Sequence, residues 1–204
     1  MAKKIKIEPD TSTEEKIKEA ARKVFTQKGY AATRTRDIAE EAGINLALLN
    51  YYFRSKEKLF EIIMMEKMHA LFGVLVPVLN DSTTSLEKKI ELVSVNYIEL
   101  LSHTPDLPLF VLSEIRSSPQ AFGERMQANK LIKDSHFIKQ LTEKRKDLHP
   151  LQFLMSLLGM LLFPFIARPV FGSVGVLAQK EFDFLMEERK RLIPQWMKLI
   201  LNSN

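Results

Sequence analysis

Apolar residues along this chain recur at helical spacing, and sustained two-residue alternation is absent. Ile17, Ala20, Ala21, Val24 and Phe25 follow the i, i+3, i+4, i+7, i+8 pattern of one buried stripe. Ser12 with Glu15 reads as a capping box opening that helix, and Gly29 suits a left-handed cap at its end. A second, short helix is expected from Thr35 as N-cap through RDIAEEAG to Gly43, with Ile38, Ala39 and Ala42 facing inward. A third runs from about Asn45 to Phe53, and a long fourth from Ser55 to about Asn80, with Pro77 near its end. Thr84 and Glu87 form another capping box, opening a helix to about His103. Helical segments follow at 108–117, 119–134, 136–147, 150–166 and 178–202, where Pro164 and Pro194 are expected to kink or end their helices.

The pattern implies an all-α fold in two parts. Residues 1–55 form an N-terminal arm and a three-helix unit, and residues 56–204 form a larger helical domain. The helix beginning at Ser55 joins them without a flexible linker. Two short helices meeting at a tight Ala-Gly-Ile turn are the signature of a helix-turn-helix. Ala39 permits close approach there, and Gly43 permits a positive φ.

The third helix has an unusual outer face. On a wheel at ~100° per residue, Asn45, Leu48, Leu49 and Tyr52 share one arc, and the two leucines can pack on the first two helices. Leu46, Ala47, Asn50 and Tyr51 share the opposite arc, uncharged and moderately apolar. That suits a DNA major groove, where Asn pairs with an adenine edge and Ala, Leu or an aromatic ring meets a thymine methyl. The rims would meet phosphates. Thr33 and Thr35 carry hydroxyls beside the second helix, Arg36 reaches a phosphate or a guanine, and Tyr52 offers its hydroxyl. Lys56 follows Ser55 in the first turn of the next helix, where a lysine opposes the helix dipole unless a phosphate lies beside it.

Charge supports this location. The net charge is +5; residues 1–58 hold 13 basic against 9 acidic side chains, so +4 of it lies in the first quarter. The tail MAKKIKIEP could add phosphate or minor-groove contacts. It turns acidic before any apolar run appears, so no secretory signal is expected and the location is read as cytoplasmic. With no cysteine, disulfides and thiolate metal sites are excluded. The apolar stretch Leu151–Ala167 is shorter than the ~20 residues that span a bilayer, so it reads as a core or interface helix rather than a membrane span.

TRTRDIAEEAGINLALLNYYFRSKEKLF resembles the DNA-binding region of the TetR family of bacterial transcriptional repressors, and the likeness covers residues 13–62. It implies a homodimer that binds a palindromic operator and is released by a small molecule. Carried over by motif, Thr33, Thr35, Tyr52 and Lys56 would contact phosphates, and Arg36, Asn45, Leu46, Ala47, Asn50 and Tyr51 would lie near bases. Leu46 stands where the family often has Lys, and Asn50 where Tyr is frequent, so the base sequence read does not transfer. The family commonly dimerises through its last two long helices, here near 150–166 and 178–202.

A pocket for an apolar or amphipathic effector is expected among the central helices, lined by Met68, Phe72, Tyr97, Phe110, Met126 and Met155. Catalysis finds no support. His69, His103, His136 and His149 are scattered, and no phosphate-binding loop or nucleophile elbow is present. No metal and no cofactor are expected. The alternative is a helical lipid- or membrane-surface protein without sequence-specific DNA binding, which gives no role to Thr35, Gly43 and Lys56.

Overall fold

The computed structural model describes residues 11–125, 133–175 and 177–203. The basic tail and Met126 lie outside the described residues. Among the described residues there are ten helices and no strand. They form two compact units, residues 1–67 and 68–204. The division falls twelve residues beyond the expected boundary at 55, because Leu59, Phe60 and Ile63 of the fourth helix are buried with the first unit's core.

The first unit holds α1 (Thr11–Ala32), α2 (Thr35–Glu41), α3 (Leu46–Phe53) and the start of α4 (Lys56–Asn80). The expected stripe of α1 is buried in full, with Ile38 and Ala39 of α2 and Leu49 and Phe53 of α3 completing the core. Phe60 meets Phe25 edge-on at 4.9 Å and Tyr30 at 4.7 Å, fixing α4 on the end of α1. On the surface, Arg22 reaches Glu15 and Glu19 along α1 and Glu66 on α4, at 2.8, 2.8 and 2.6 Å.

Gly29 does not end α1 with a left-handed cap. Its φ of 72° and ψ of 165° lie in a region essentially open only to glycine. The chain turns there and makes one more short helical stretch. Thr33 closes it, donating both its N–H (3.3 Å) and its hydroxyl (2.7 Å) to the Gly29 carbonyl.

In the second unit, α5 (Leu86–His103) packs extensively on α10 (Gln179–Asn202), with α6 (Leu107–Ser117), α7 (Pro119–Arg125), α8 (His136–Lys144) and α9 (Pro150–Ser173) around them. Ser85 rather than Thr84 caps α5, accepting from the Lys88 N–H, while the Thr84 hydroxyl donates to Asp81. The helix α9 continues through Pro164 and Pro169 to 24 residues. It thus exceeds the expected 150–166, and its length and composition alone would allow a bilayer span, as they would for α4. Its buried residues Phe153, Leu157, Leu161 and Phe165 form a seam four residues apart, with Met155, Phe163 and Val170 exposed on the other side. The α10 helix has the same two-sidedness: Phe182, Met186, Ile193, Met197 and Leu201 are buried, and Phe184 and Leu199 are exposed.

Candidate nucleic-acid interface

The turn between α2 and α3 is a complete Schellman motif. Gly43 N–H donates to Glu40 O at 3.1 Å and Ile44 N–H to Ala39 O at 3.0 Å, with Gly43 at φ 65°. Those carbonyls would otherwise end α2 unpartnered. At the other end of α2 the N-cap is Arg34 rather than Thr35. The Arg34 N–H donates to the Asp37 carboxylate at 2.9 Å, and this hydrogen bond, with help from Lys28, holds the Asp37 carboxyl below its ordinary range.

Asn45 caps α3, its side-chain oxygen accepting the Leu48 N–H at 2.8 Å. The cap bears on its expected place near a base. Reading adenine with two bonds needs the amide oxygen as well as the NH2, and here that oxygen is engaged. Ala47, Asn50 and Tyr51 are exposed, Tyr51 by 51%, while Leu46, Leu48 and Tyr52 are half-buried and Leu49 is buried. Tyr51 stands edge-on to Tyr52, ring centres 5.5 Å apart and planes at 89°. The outer face of α3 is therefore a short uncharged strip: Ala47, Asn50, Tyr51.

Two expected phosphate ligands are turned inward. Thr33 is 1% exposed with its hydroxyl donated to Gly29, so no phosphate can reach it in this conformation. Lys56 donates to Tyr30 O at 3.0 Å and Thr33 O at 2.9 Å, and its ammonium lies 4.2 Å from the Tyr30 ring centre. The lysine that opposes the dipole of its own helix thus satisfies carbonyls at the end of another. One of its three donors remains for an outside acceptor. The Tyr30 hydroxyl donates to Glu57 at 2.9 Å, contributing to that carboxyl's lowered pKa after a backbone hydrogen bond. Ser55 caps α4 as expected, accepting the Lys58 N–H at 3.2 Å.

Flanking the α2–α3 reader are the guanidinium groups of Arg34, Arg36 and Arg54. All three are exposed, and none has a carboxylate at ion-pair distance among the described residues. Arg54 adopts φ 52° and ψ −41°, the strained central position of a tight turn in which Ser55 N–H donates to Phe53 O. Thr35 is half-exposed at the first position of α2.

A guanidinium-flanked, uncharged helix face behind a two-helix turn matches a known reader. The family model for bacterial regulatory proteins of the tetR family matches residues 17–63. The chain is 27% identical over 199 residues to a probable HTH-type transcriptional regulator, YttP, of Bacillus subtilis, covering 94% of this chain and 95% of that one. It is 30% identical over 131 residues to the HTH-type transcriptional repressor KstR2 of Mycolicibacterium smegmatis, covering 55% of this chain and 63% of the relative. Residues 17–63 are a TetR-family DNA-binding domain. The solved structure of KstR2, a ketosteroid transcriptional regulator of Mycobacterium tuberculosis, shares the fold with a TM-score of 0.67 at 18% identity, covering 92% of this chain and 96% of that one. With that domain it is a DNA-binding transcriptional regulator, and its relatives are named as regulators rather than enzymes.

Arg34 and Arg54 were missed as site residues by sequence reasoning. Their signal was available: a basic residue immediately before α2 and another immediately after α3, each outside any hydrophobic stripe.

None of the residues expected to line an effector pocket lines the cleft described below. Met68, Tyr97 and Phe110 are buried in packed core, Phe72 is half-buried, and Met155 is 58% exposed. These residues mark burial, which a tightly packed core and a pocket wall share. A cleft of about 420 Å³ lies elsewhere in the second unit, where the start of α6, the end of α9 and the start of α10 meet. Among the described residues no cluster of three or more histidine or acidic side chains could hold a metal ion.

Proposed function

We propose that this protein is a repressor that binds a palindromic operator as a homodimer and releases it when a small apolar or amphipathic effector binds. The observation that carries the DNA-reading part is the outward strip Ala47, Asn50, Tyr51 bracketed by exposed Arg34, Arg36 and Arg54. In this reading Asn50, Ala47 and Tyr51 lie at base edges, with half-buried Leu46 beside them and Arg36 reaching a guanine or a phosphate. Thr35, Tyr52, Arg34, Arg54 and the remaining Lys56 donor hold phosphates. Repression rather than activation is supported by the name of the KstR2 relative, and an apolar effector by the ketosteroid in the name of the solved homologue. The effector acts in the second unit, and α4, which contributes residues to both units, carries its effect to the reader. A bacterial regulator of this kind works in the cytoplasm, where its DNA is.

The homodimer is supported by the uncovered side of α9 and α10. Only 28% of the most apolar window of α9 is buried within one chain. Exposed Met155, Phe163 and Val170 on α9 and Phe184 and Leu199 on α10 form the kind of apolar surface that a second copy covers. A closed two-fold pair uses the same face of both subunits, and it would present two readers to half-sites about 34 Å apart. The lipid-surface alternative leaves the α2–α3 reader without a role and is set aside by the family assignment.

Selection of bound fragments from genomic DNA tests the proposal. The expected result is enrichment of one inverted repeat, with neighbouring genes indicating the effector class. Enrichment of unrelated or non-symmetric sequences overturns the palindromic reading.

A further inference from the structure

The cleft beside α6, α9 and α10 has a chemistry of its own. Leu109, Phe165, Phe171, Leu177 and Phe182 supply apolar walls. Within them stands one guanidinium. Arg168 lies with its central carbon 5.1 Å from the Phe182 ring centre and donates from one nitrogen to the Gln179 side-chain oxygen. Gln179 is itself held, donating to Asp183 at 2.7 Å. No carboxylate lies at ion-pair distance from Arg168 among the described residues. A half-buried arginine has five N–H donors in a fixed fork, and here most of them have no acceptor among the described residues. The ring beneath and the amide beside hold the fork in place before any ligand arrives.

We infer that this cleft is the effector site and takes an amphipathic monoanion: an apolar chain or ring body against the phenylalanines, with a single carboxylate on Arg168. The cleft volume of about 420 Å³ falls in the ~300–1,000 Å³ range of small-molecule sites. Arginine matches a carboxylate with two parallel hydrogen bonds. Asp106 also borders the cleft and is exposed, so a head group carrying several negative charges is disfavoured against one carrying a single charge. This inference rests on the effector-release reading and supplies the ligand class that the sequence withheld.

Gly172 provides a clean control. It lines the cleft, and a Cβ added there meets nothing within 4 Å, so a larger side chain grows into open space rather than into the core. The test is calorimetric titration of the full chain with dodecanoate below its micellar concentration, beside dodecan-1-ol and dodecanoyl-CoA. Wild type should bind one dodecanoate per chain, more tightly than either comparator. Arg168→Gln should weaken dodecanoate at least about tenfold while leaving dodecanol unchanged. Gly172→Leu should abolish binding of both with operator affinity intact. Dodecanoate bound equally by wild type and Arg168→Gln, bound equally by Gly172→Leu, or bound only near micellar concentration, overturns the site. Loss of the dimer in Gly172→Leu also overturns it, since the cleft would then belong to the subunit contact. Operator release is measured separately: binding without release leaves the site standing and removes the effector reading, whereas release by another compound with no dodecanoate binding does the reverse.

Discussion

The Lys56 ammonium donates to the Thr33 carbonyl oxygen at 2.9 Å, joining the first turn of α4 to the end of the α1 segment. A second bond to Tyr30 O and the Tyr30 ring beneath it make this a three-point clamp. Removing the amine leaves two carbonyls unpartnered, and hydrogen bonds to charged groups contribute about 1.5–3 kcal/mol. Lys56→Met should therefore destabilise the first unit by roughly that amount, partly offset by water at a half-exposed site. Thermal unfolding checks this. An unchanged midpoint, with weaker binding to every DNA sequence, would return Lys56 to a purely phosphate-binding role.

Gly43 carries the turn between α2 and α3 at φ 65°, with open space around the position its Cβ would take. Gly43→Ala therefore has no clash to relieve, and its cost is the left-handed backbone alone, about 1–2 kcal/mol. Gly43→Asn should recover part of the loss, because Asn tolerates that region. Chemical denaturation of the three proteins gives the order. Equal stability of the alanine and asparagine variants would show that some other feature of the turn governs it.

Arg34 and Tyr51 separate grip from reading. Arg34 is exposed at the N-cap of α2, its guanidinium in no ion pair among the described residues, so Arg34→Ala should weaken all duplexes alike and lower the salt slope by about one contact per subunit. Tyr51, 51% exposed on the outer face of α3, should instead discriminate. Tyr51→Ala is expected to relax preference at one base step by roughly 1–3 kcal/mol per half-site. Binding measured over a set of single-step operator variants distinguishes them. A uniform loss for Tyr51→Ala would place that ring away from the bases.

What sequence could reveal here depended on whether a residue's partner lies within its own pattern. Gly43 was legible because a two-helix turn needs a positive φ and a glycine stands there. The stripe of α1 was legible because a helical period and a buried face are the same fact. Thr33 was misjudged and Lys56 read only in part, because the groups that claim them are backbone carbonyls exposed by the turn at Gly29, and no side-chain pattern records those. The cap role of Asn45 went unread because it was placed only near the bases, whereas Ser, Thr, Asn and Asp face a local demand for their oxygen at every helix start. The cleft was invisible because it depends on α9 running past Pro164 and Pro169 to bring Phe171 and Gly172 beside α10.

Lys89 and Tyr97 give the second unit opposing responses to alkali. Lys89 is 0% exposed, bonded to His136 Nδ1 at 3.0 Å and, more weakly, to Leu79 O at 3.4 Å, and burial lowers its pKa despite the nearby Asp81. The unfolded chain then holds this proton more firmly than the folded one, so stability rises with pH up to the ordinary lysine value near ~10.4. Burial raises the Tyr97 pKa, so the folded chain keeps that proton after the unfolded one begins to lose it, and stability falls above ~10. Denaturation midpoints measured from pH 8 upward should rise and then turn over. Lys89→Met should flatten the rising limb and Tyr97→Phe the falling one. A limb unchanged by its substitution assigns that slope to other groups.

Phe184 tests the subunit contact with little risk to the fold, because it is 63% exposed on the side of α10 opposite its buried residues. Phe184→Glu should leave the helical circular dichroism of the chain intact. If the α9 and α10 faces pair about a two-fold axis, each substitution acts twice. Full burial of a phenylalanine contributes about 1.5–3 kcal/mol, so losing two amounts to roughly 3–6 kcal/mol, a weakening of dimerisation by about 10²–10⁴. Sedimentation should then show the monomer mass at micromolar protein, and operator affinity should fall steeply because one reader no longer brings the other. A variant that keeps the dimer mass across that range would move the contact off this face and leave Phe163, Val170 and Leu199 needing another cover.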